Sequence, residues 1–252
     1  MSKHQTSILI TGASSGIGAA LALVYAGSDV TLFLSGRDQN RLSEIAQTCK
    51  KKGANVFEQV IDVTDQSAMA AWILEADSQA PLDLVIANAG ISGGSDSQNE
   101  ELSRQIFATN VDGVLNTVLP IIPRMISRKR GQLALMSSLA GFRGLPSAPA
   151  YSASKAAVRS YGEALRGSLN NDGIKVSVIC PGFVESRITD ANNFHMPFLM
   201  KAPKAAAIIK NGLAHNKPRI AFPLPMYAAT WLMSVLPTMI VDPIMSRLPK
   251  KE

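Results

Sequence analysis

The residues from Thr11 to Gly18, TGASSGIG, constrain the fold of this chain more than any other segment. They follow the apolar run of residues 7–11 and precede a segment rich in alanine and leucine, so they join a predicted strand to a predicted helix. Gly12, Gly16 and Gly18 let the backbone turn sharply and let a ligand approach it closely. The N–H groups that begin the new helix then face a phosphate. A tight turn that binds nothing is the alternative, but the position between the first strand and the first helix favours phosphate binding.

Apolar runs that suit β-strands recur along the chain, separated by segments long enough for helices. They lie at residues 7–11, 30–34, 55–61, 82–87, 132–137, 174–180 and 218–222. Most are bounded by glycine, proline or asparagine. They are nearly continuous rather than alternating, which is typical of strands in a parallel sheet covered on both faces.

Helical periodicity appears between these runs, over residues 41–52 and 154–170 and within residues 100–130. Pro120 and Pro123 are expected to bend or break the last of these helices. The alternation of strands and helices predicts an α/β fold. We expect a single Rossmann-type, doubly wound parallel sheet of about seven strands with helices on both faces.

Composition excludes several classes of function. Cys49 and Cys180 are too few for a disulfide framework or a cysteine-rich zinc site, and the histidines show no ligand spacing, so no metal is expected. The net charge of +6 raises the question of nucleic acid. The basic runs 50–52 and 128–130 fall where helices should end, and no aromatic residues interleave with them, so we expect no nucleic-acid partner. Only six residues precede the first apolar run, which leaves no room for a secretory signal and indicates the cytoplasm.

The end of the second predicted strand indicates which cofactor the turn serves. An acidic residue there would accept hydrogen bonds from the ribose hydroxyls of NAD. Residues 34–38 instead read LSGRD, and the guanidinium of Arg37 can pair with the 2′-phosphate of NADP. Ser14 or Ser15 is placed to add a hydroxyl. The sequence therefore predicts NADP(H) in preference to NAD(H); the alternative is a solvated Arg37 ahead of a helix capped by Asp38.

Residues 151–155, YSASK, have the chemistry of a proton-transfer site. Tyr151 and Lys155 are one helical turn apart and share a face of a predicted helix. An ammonium near a tyrosine, whose free pKa is about 10, favours the phenolate, so Tyr151 is expected to exchange a proton at neutral pH. Ser138 ends the fifth predicted strand, at the edge where ligands bind, and is placed to hydrogen-bond a substrate carbonyl. Because Tyr-x-x-x-Lys also occurs by chance, the surrounding motifs decide what it means.

Together these motifs resemble the short-chain dehydrogenase/reductase family, over about residues 7–190. The shared motifs are the TGASSGIG turn, Asp62-Val63, Ala87-Asn88-Ala89-Gly90, Asn110, Ser137-Ser138, Tyr151 to Lys155 and Pro181-Gly182. Ala87 stands where the family usually has asparagine, and Ser186 replaces its threonine while keeping a hydroxyl. The resemblance implies a seven-stranded Rossmann sheet. It also implies an NADP(H)-dependent oxidoreductase that transfers a hydride between nicotinamide and a ketone or secondary alcohol.

The resemblance also implies a role for each catalytic residue. Tyr151 is the general acid and base, and Ser138 positions the substrate oxygen. Lys155 lowers the pKa of Tyr151 and binds the nicotinamide ribose, while Asn110 holds a water that links Lys155 to solvent. The implied cofactor-binding residues are Gly12, Ser14, Ser15, Gly16, Ile17, Gly18, Arg37, Asp62, Val63, Asn88, Ala89, Gly90, Tyr151, Lys155, Pro181, Gly182, Val184 and Ser186.

The C-terminal part of the chain lacks the family's usual ending. Residues 220–241 carry no charge and include Tyr227 and Trp231, but three prolines interrupt them. We interpret the stretch as a helical flap near the substrate mouth or a dimer partner; peripheral attachment to a bilayer is the alternative, and a true span the least favoured. The predicted substrate loop comprises Phe183, Phe194, Met196, Phe198, Leu199 and Met200. Such residues favour a lipophilic carbonyl substrate, unless they only pack a lid against the body.

The sequence shows no linker and no repeat, so one catalytic domain is expected over residues 1–252. Within it, residues 190–252 would supply the substrate lid and the apolar C-terminal segment. By resemblance, helices within 100–130 and 154–170 form a dimer surface, which predicts a homodimer. The alternative function is a sensor or scaffold that binds NADP without turnover, and the intact set of four catalytic residues argues against it.

Overall fold

The computed structural model describes residues 6–93, 99–190 and 196–246. Seven parallel strands form one sheet in the order β3-β2-β1-β4-β5-β6-β7. They are β1 (Thr6–Ile10), β2 (Val30–Gly36), β3 (Asn55–Val60), β4 (Leu84–Ala87), β5 (Gly131–Met136), β6 (Ile174–Pro181) and β7 (Arg219–Phe222). Each predicted strand is confirmed to within two residues. The order reverses between β1 and β4, and ligands bind at such a switch point in doubly wound sheets.

Helices cover both faces of the sheet. They are α1 (Gly16–Tyr25), α2 (Gln39–Lys51), α3 (Gln66–Gln79), α4 (Glu100–Phe107), α5 (Gly113–Val118), α6 (Ile122–Ser127), α7 (Pro149–Ser168), α8 (Arg187–Asp190), α9 (Ala202–Ala214), α10 (Leu224–Val235) and α11 (Thr238–Met245). One core contains Leu21, Leu42 and Ile209 from α1, α2 and α9. The other contains Ile73 and Val158 from α3 and α7. The predicted architecture is therefore confirmed.

The helix that carries the YSASK motif begins earlier than the sequence pattern indicates. The apolar stripe predicts a helix over residues 154–170, whereas α7 begins at Pro149. Proline is favoured in the first helical turn because its missing N–H has no partner there anyway. The earlier start brings Tyr151 into the helix together with Lys155, one turn further along.

The long segment 100–130 breaks where its prolines predict. A π-helical turn joins α4 to α5, and α5 ends at Val118, just before Pro120. Pro123 lies in the first turn of α6, where proline is tolerated. By length and composition, residues 100–127 are the one helical stretch of the described chain that could cross a bilayer. Val114 and Val118 of this stretch pack into the core of the protein.

Among the helices without a counterpart in the sequence interpretation are α3 and α9, the two longest of them. The start of α3 carries a recognisable signal, because the side chain of Asp65 accepts a hydrogen bond from Ala68 N at 3.0 Å and so caps the helix. The start of α9 has a lysine in the cap position that makes no capping bond, but proline lies in its first turn. Capping residues and first-turn proline, rather than apolar periodicity, therefore mark these helices.

The apolar stretch 220–241 is largely helical, as predicted, but it forms two helices rather than one flap. Its first residues belong to strand β7, and Pro237 separates α10 from α11. A proline directly precedes each helix, since Pro223 and Pro237 are the N-cap residues. Neither helix is long enough to span a bilayer, in agreement with the argument from the prolines.

The run 128–130 falls at the end of a helix, as predicted, and Arg128 has a further role there as the partner of a buried carboxylate. Its guanidinium Nη1 lies 2.7 Å from Oδ1 of Asp77, whose side chain is 5% exposed. Its Nη2 donates to the carbonyl of Leu82 at 2.7 Å, and Asp77 also accepts from Leu82 N. Arg124 approaches the same carboxylate at 3.4 Å. These bonds tie α3, the residue after α6 and the approach to β4 together.

Replacing Arg128 with alanine should lower the free energy of unfolding by about 3 kcal/mol, because the buried Asp77 carboxylate loses its closest charged partner. The matched control is Lys51→Ala, at the exposed end of α2. It should change stability by less than about 0.5 kcal/mol. Urea denaturation measures both, and equal, small losses would show that the Arg128–Asp77 pair does not stabilise the fold.

Candidate active site

A cleft of about 790 Å³ opens where the strands end. Its walls include residues at the ends of six strands: Gly12, Arg37, Asp62, Asn88, Ser138 and Gly182. The carboxyl ends of parallel strands meet at one edge, so distant parts of the sequence converge there. Every predicted catalytic and cofactor-binding residue lines this cleft except Asn110.

The glycine-rich turn forms the floor of the cleft at the end of β1. Gly12 has a φ of +66°, and a Cβ there would lie 2.9 Å from the Cα of Ala89. A Cβ on Gly18 would collide with the carbonyl oxygen of Gly12. Ser15 is the N-cap residue of α1, yet its side chain makes no capping bond. The first N–H groups of α1 are therefore available to a phosphate.

Thr11 locks the two sides of the switch point together, a role that the sequence interpretation missed. Its Oγ1 accepts hydrogen bonds from Asn88 N at 3.0 Å and Ala89 N at 3.2 Å. In return, Asn88 Nδ2 donates to the carbonyls of Thr11 at 2.9 Å and Gly12 at 3.3 Å. Asn88 thus holds the turn in place from the end of β4. A hydroxyl residue between a strand and the first glycine is the signal that points to this role.

Arg37 and Asp62 face each other at one end of the cleft. Arg37 Nη1 lies 3.6 Å from Oδ2 of Asp62, and Thr64 donates two hydrogen bonds to Oδ1 of the same carboxylate. Burial acts to raise the pKa of Asp62, but the Thr64 bonds and Arg37 outweigh it and hold the pKa below its ordinary value. Asp62 is therefore ionised at neutral pH. Its partner Arg37 is one of two arginines that line this end of the cleft.

Arg41 is the second arginine here, and the sequence interpretation did not include it. Its Nη2 pairs with Oδ2 of Asp38 at 2.9 Å, while Asp38 caps α2 as expected. Arg41 Nε and Ser35 Oγ are buried without hydrogen-bond partners among the described residues, and both side chains belong to residues of the cleft wall. Buried polar atoms without partners are costly, so this end of the cleft suits a ligand rich in acceptors. The signal in the sequence that points to this role is a second arginine in the first turn of α2, shortly after Arg37.

Ser138 and Tyr151 meet at the centre of the cleft. The hydroxyl of Ser138 is close enough to the phenol of Tyr151 to act on its pKa. The Oγ of Ser138 accepts from Ala140 N at 3.1 Å and donates to the carbonyl of Pro181 at 3.4 Å. The turn after β5 and the end of β6 thus hold this hydroxyl in the cleft.

Lys155 places a buried charge behind Tyr151. It is 3% exposed, its Nζ donates to the carbonyl of Met136 at 2.9 Å, and Nζ lies 5.8 Å from the centre of the Tyr151 ring. A Cβ on Gly90 would lie 3.3 Å from Nζ, so the loop after β4 packs closely against the ammonium. Burial lowers the pKa of Lys155 to about 8.

The pKa of Tyr151 differs from the expectation that its lysine neighbour lowers it. Burial raises the pKa above the ordinary value, and the nearby Ser138 hydroxyl acts in the opposite direction without cancelling the effect. Tyr151 is therefore a protonated phenol at neutral pH. A phenol in this form can donate a proton to a substrate oxygen.

Asn110 supports the site from behind rather than lining it. It is fully buried in the π-helical turn between α4 and α5. Its Oδ1 accepts from Ile91 N at 2.8 Å, and its Nδ2 donates to Ile91 O at 2.9 Å and Ser154 Oγ at 3.0 Å. Both amide hydrogens are used in these bonds, so the side chain positions α7 and the loop after β4. The water-holding role implied by resemblance stays a prediction.

The C-terminal helices contribute to the apolar side of the cleft, whereas most of the predicted substrate loop does not. Phe198 and Leu199 are 59% and 44% exposed and do not line the cleft, and Met200 packs against the core. Phe183 lines the cleft, whereas Phe194 lies outside the described residues. The cleft-lining residues of the C-terminal helices are Met226, Ala229, Thr230, Met233 and Met245.

Comparison with known proteins places this geometry in context. The family model for short chain dehydrogenases matches residues 6–196. A protein of Myxococcus xanthus (strain DK1622) named "Uncharacterized oxidoreductase" is 40% identical over 243 residues, which are 95% of this chain and 96% of the relative. A short-chain dehydrogenase from Sphingobium yanoikuyae in complex with NADPH gives a TM-score of 0.81 at 26% identity, covering 98% of each chain. One from Burkholderia phymatum in complex with NAD gives 0.83 at 25% identity, covering 100% of this chain and 99% of the other.

The buried charge of Lys155 predicts a gain in stability when it is removed. Because its pKa is lowered from 10.5 to about 8, the folded protein holds the ammonium at a cost below pH 8, and the cost fades as the pH rises toward 10.5. That shift corresponds to about 3 kcal/mol, and loss of the bond to Met136 offsets about 1 kcal/mol of it. Lys155→Met should therefore raise the free energy of unfolding by about 2 kcal/mol at pH 7 and by less at pH 10.

Urea denaturation at the two pH values measures this difference. Lys175→Met is the matched control, because Lys175 is an exposed lysine on β6 and its removal should give no gain that depends on pH. A Lys155→Met protein that is less stable than the wild type at pH 7, or whose gain is the same at both pH values, would contradict the account of the buried ammonium.

Proposed function

This chain belongs to the short-chain dehydrogenase family, and from that premise we propose that it is an NADP(H)-dependent oxidoreductase acting on lipophilic ketones or secondary alcohols. The observation that carries the proposal is the meeting of Ser138, Tyr151 and Lys155 in the cleft that also contains the glycine-rich turn. A nicotinamide cofactor is common to the two structural neighbours, one with NADPH and one with NAD. The preference for NADP(H) rests on residues of this chain.

The end of the cleft beside α2 fits the 2′-phosphate of NADP(H). Arg37 and Arg41 supply two guanidinium groups, and Arg41 Nε and Ser35 Oγ are buried donors without partners among the described residues. A phosphate offers several acceptor oxygens and negative charge, which satisfies such donors. The ribose hydroxyls of NAD carry no negative charge to pair with two arginines. These features support NADP(H) over NAD(H).

The catalytic side chains suit proton transfer to a carbonyl oxygen. The bound nicotinamide supplies a hydride to the carbonyl carbon in reduction and accepts one in oxidation. Ser138 donates a hydrogen bond to the substrate oxygen, and Tyr151 gives that oxygen its phenolic proton. The ammonium of Lys155 stabilises the phenolate that remains. The raised pKa keeps the phenolic proton on Tyr151 at neutral pH, which is the form that donates to the substrate oxygen in reduction.

The remaining expectations about the molecule are carried forward as part of this proposal. A homodimer would form through α4, α5, α6 and α7, and one catalytic domain would extend over residues 1–252. The cytoplasm is the proposed location. A protein that binds NADP without turnover is the competing function, and turnover on any ketone excludes it.

Tyr151→Phe should reduce turnover of NADPH with a ketone by about a hundredfold or more, since a general acid contributes on the order of 10² to 10⁴ in rate. NADPH affinity should stay within about twofold, because the lost hydroxyl acts in proton transfer. The matched control is Tyr161→Phe, which makes the same change on the same helix at a partly buried residue that packs against the core. Steady-state rates and fluorescence titration measure the two effects. Residual activity within about tenfold of the wild type would remove Tyr151 from the role of acid.

Arg37→Ala and Arg41→Ala should each weaken NADPH binding by about tenfold to a hundredfold, since a charge-assisted hydrogen bond is worth roughly 1.5–3 kcal/mol. NADH binding should change by less than about threefold, because NADH lacks the 2′-phosphate. Arg104→Ala, at an exposed ion pair on α4, is the control. Calorimetric titration of each protein with both cofactors measures the effect, and equal losses for NADPH and NADH would show that the arginines are structural.

A further inference from the structure

One face of helix α10 forms a continuous wall of the cleft. Met226, Ala229, Thr230 and Met233 have the spacing i, i+3, i+4 and i+7, which places them on one side of a helix, and all four line the cleft. We propose that this face, called the inner stripe, binds an extended hydrocarbon chain attached to the carbonyl group of the substrate. The inference rests on the proposed function and adds the class of substrate: a long-chain ketone or alcohol rather than a compact one.

The inner stripe begins beside the catalytic serine. A Cβ on Gly182 would lie 2.7 Å from Sδ of Met226, so the methionine lies directly against the glycine backbone. Gly182 follows Pro181, whose carbonyl accepts the hydrogen bond from Ser138. A carbonyl group held by Ser138 therefore has the first residue of the inner stripe as a close neighbour.

Helix α10 is anchored firmly enough to act as a wall. Tyr227 packs edge-to-face on Phe142, with ring centres 5.5 Å apart. The Tyr227 hydroxyl accepts a hydrogen bond from Arg219 Nη1 at 3.0 Å. Phe142 follows the turn after Ser138, and Arg219 begins β7. These contacts fix the start of α10 to the turn that follows Ser138 and to β7.

Helix α11 supplies the next part of the wall. Its Met245 lines the cleft, and Val241 and Met245 are buried. An ion pair of 2.7 Å joins Asp242 of α11 to Arg143, which also lines the cleft. The carboxylate of Asp242 therefore balances the positive charge of Arg143. The pair holds α11 beside the apolar wall.

The chemistry of the inner stripe suits methylene groups. Methionine side chains are flexible and polarizable, so they adapt to chains of different shape. Thr230 is the one residue of the stripe with a polar side chain, and its hydroxyl donates to the carbonyl of Tyr227 at 3.1 Å. Its hydrogen-bonding need is met within the helix. From Met226 to Met233 the helix rises about 10 Å, enough to lie beside a chain of many carbons.

A series of methyl ketones from 2-butanone to 2-undecanone, with saturating NADPH, tests the inference. For the wild type, kcat/KM should rise by about fourfold per added methylene until the wall is filled. Met233→Trp should lower kcat/KM for 2-undecanone by at least about tenfold, because the indole fills the space that the chain needs. For 2-butanone it should remain within about twofold, because a short ketone does not reach Met233.

Leu232→Trp is the matched control, since it also introduces a tryptophan, but at the neighbouring residue. Leu232 is 50% exposed and does not line the cleft. It should leave the whole series within about twofold of the wild type. If Met233→Trp does not fold, Met233→Ala replaces it, and its kcat/KM for 2-undecanone should fall by about threefold or more with 2-butanone unchanged. A flat series for the wild type, or equal losses for short and long ketones in the folded variant, would overturn the inference.

Binding of 2-undecanone to protein saturated with NADP⁺, measured by calorimetry, separates this inference from the proposed function. If no ketone in the series is reduced, but 2-undecanone binds and Met233→Trp abolishes the binding, the proposed function fails and the inner stripe stands. If ketones are reduced with no dependence on chain length, and 2-undecanone binds no better than 2-butanone, the inner stripe fails and the proposed function stands.

Discussion

The hydrogen bond from the buried ammonium of Lys155 to the carbonyl of Met136 joins the end of β5 to the start of α7. Burying an ammonium is costly, and its lowered pKa shows that the fold does not fully compensate the cost. The parallel sheet makes the arrangement achievable, because it brings the loop after β4 against Lys155 while β5 supplies the carbonyl. Tyr151, one turn earlier on the same helix, is thereby held next to Ser138. The fold therefore bears the cost of this one buried charge and places it where the proposed chemistry needs it.

The cleft has two halves with different origins. The half that suits a dinucleotide is built from the ends of β1 to β4, where Thr11 and Asn88 lock the turn and two arginines mark one end. The apolar half is built from β6, α10 and α11. The first half uses backbone N–H groups and fixed side chains, so it suits a ligand that does not vary. The second uses methionines, so it can be changed without disturbing the catalytic residues.

The sequence predicted the strands well because continuous apolar runs bounded by glycine or proline leave few alternatives. It also predicted the cofactor half of the cleft, since parallel strands force Gly12, Arg37 and Asn88 to one edge. It placed a helical flap over residues 220–241 near the substrate mouth or a dimer partner, and α10 and α11 do line the cleft. It did not predict that Phe198 and Leu199 stay outside the cleft wall, because both segments are apolar and only packing distinguishes them. The sequence also did not predict that Ile91 and Ser154 use the amide of Asn110, or that Arg128 pairs with Asp77. Both contacts join residues that are distant in sequence.

The most direct test of the central claim follows the transferred hydrogen itself. The protein is incubated with 2-undecanone and NADPH in which one of the two hydrogens at C4 of the nicotinamide is deuterium. The alcohol that forms is analysed by mass spectrometry. Both C4 epimers of the deuterated cofactor are used, so that either face of the ring is covered. The account predicts an alcohol with one deuterium on the carbinol carbon from one epimer, and loss of product with Tyr151→Phe. Binding of NADPH with no labelled alcohol from either epimer, for any ketone from 2-butanone to 2-undecanone, would contradict it and leave a cofactor-binding protein without turnover.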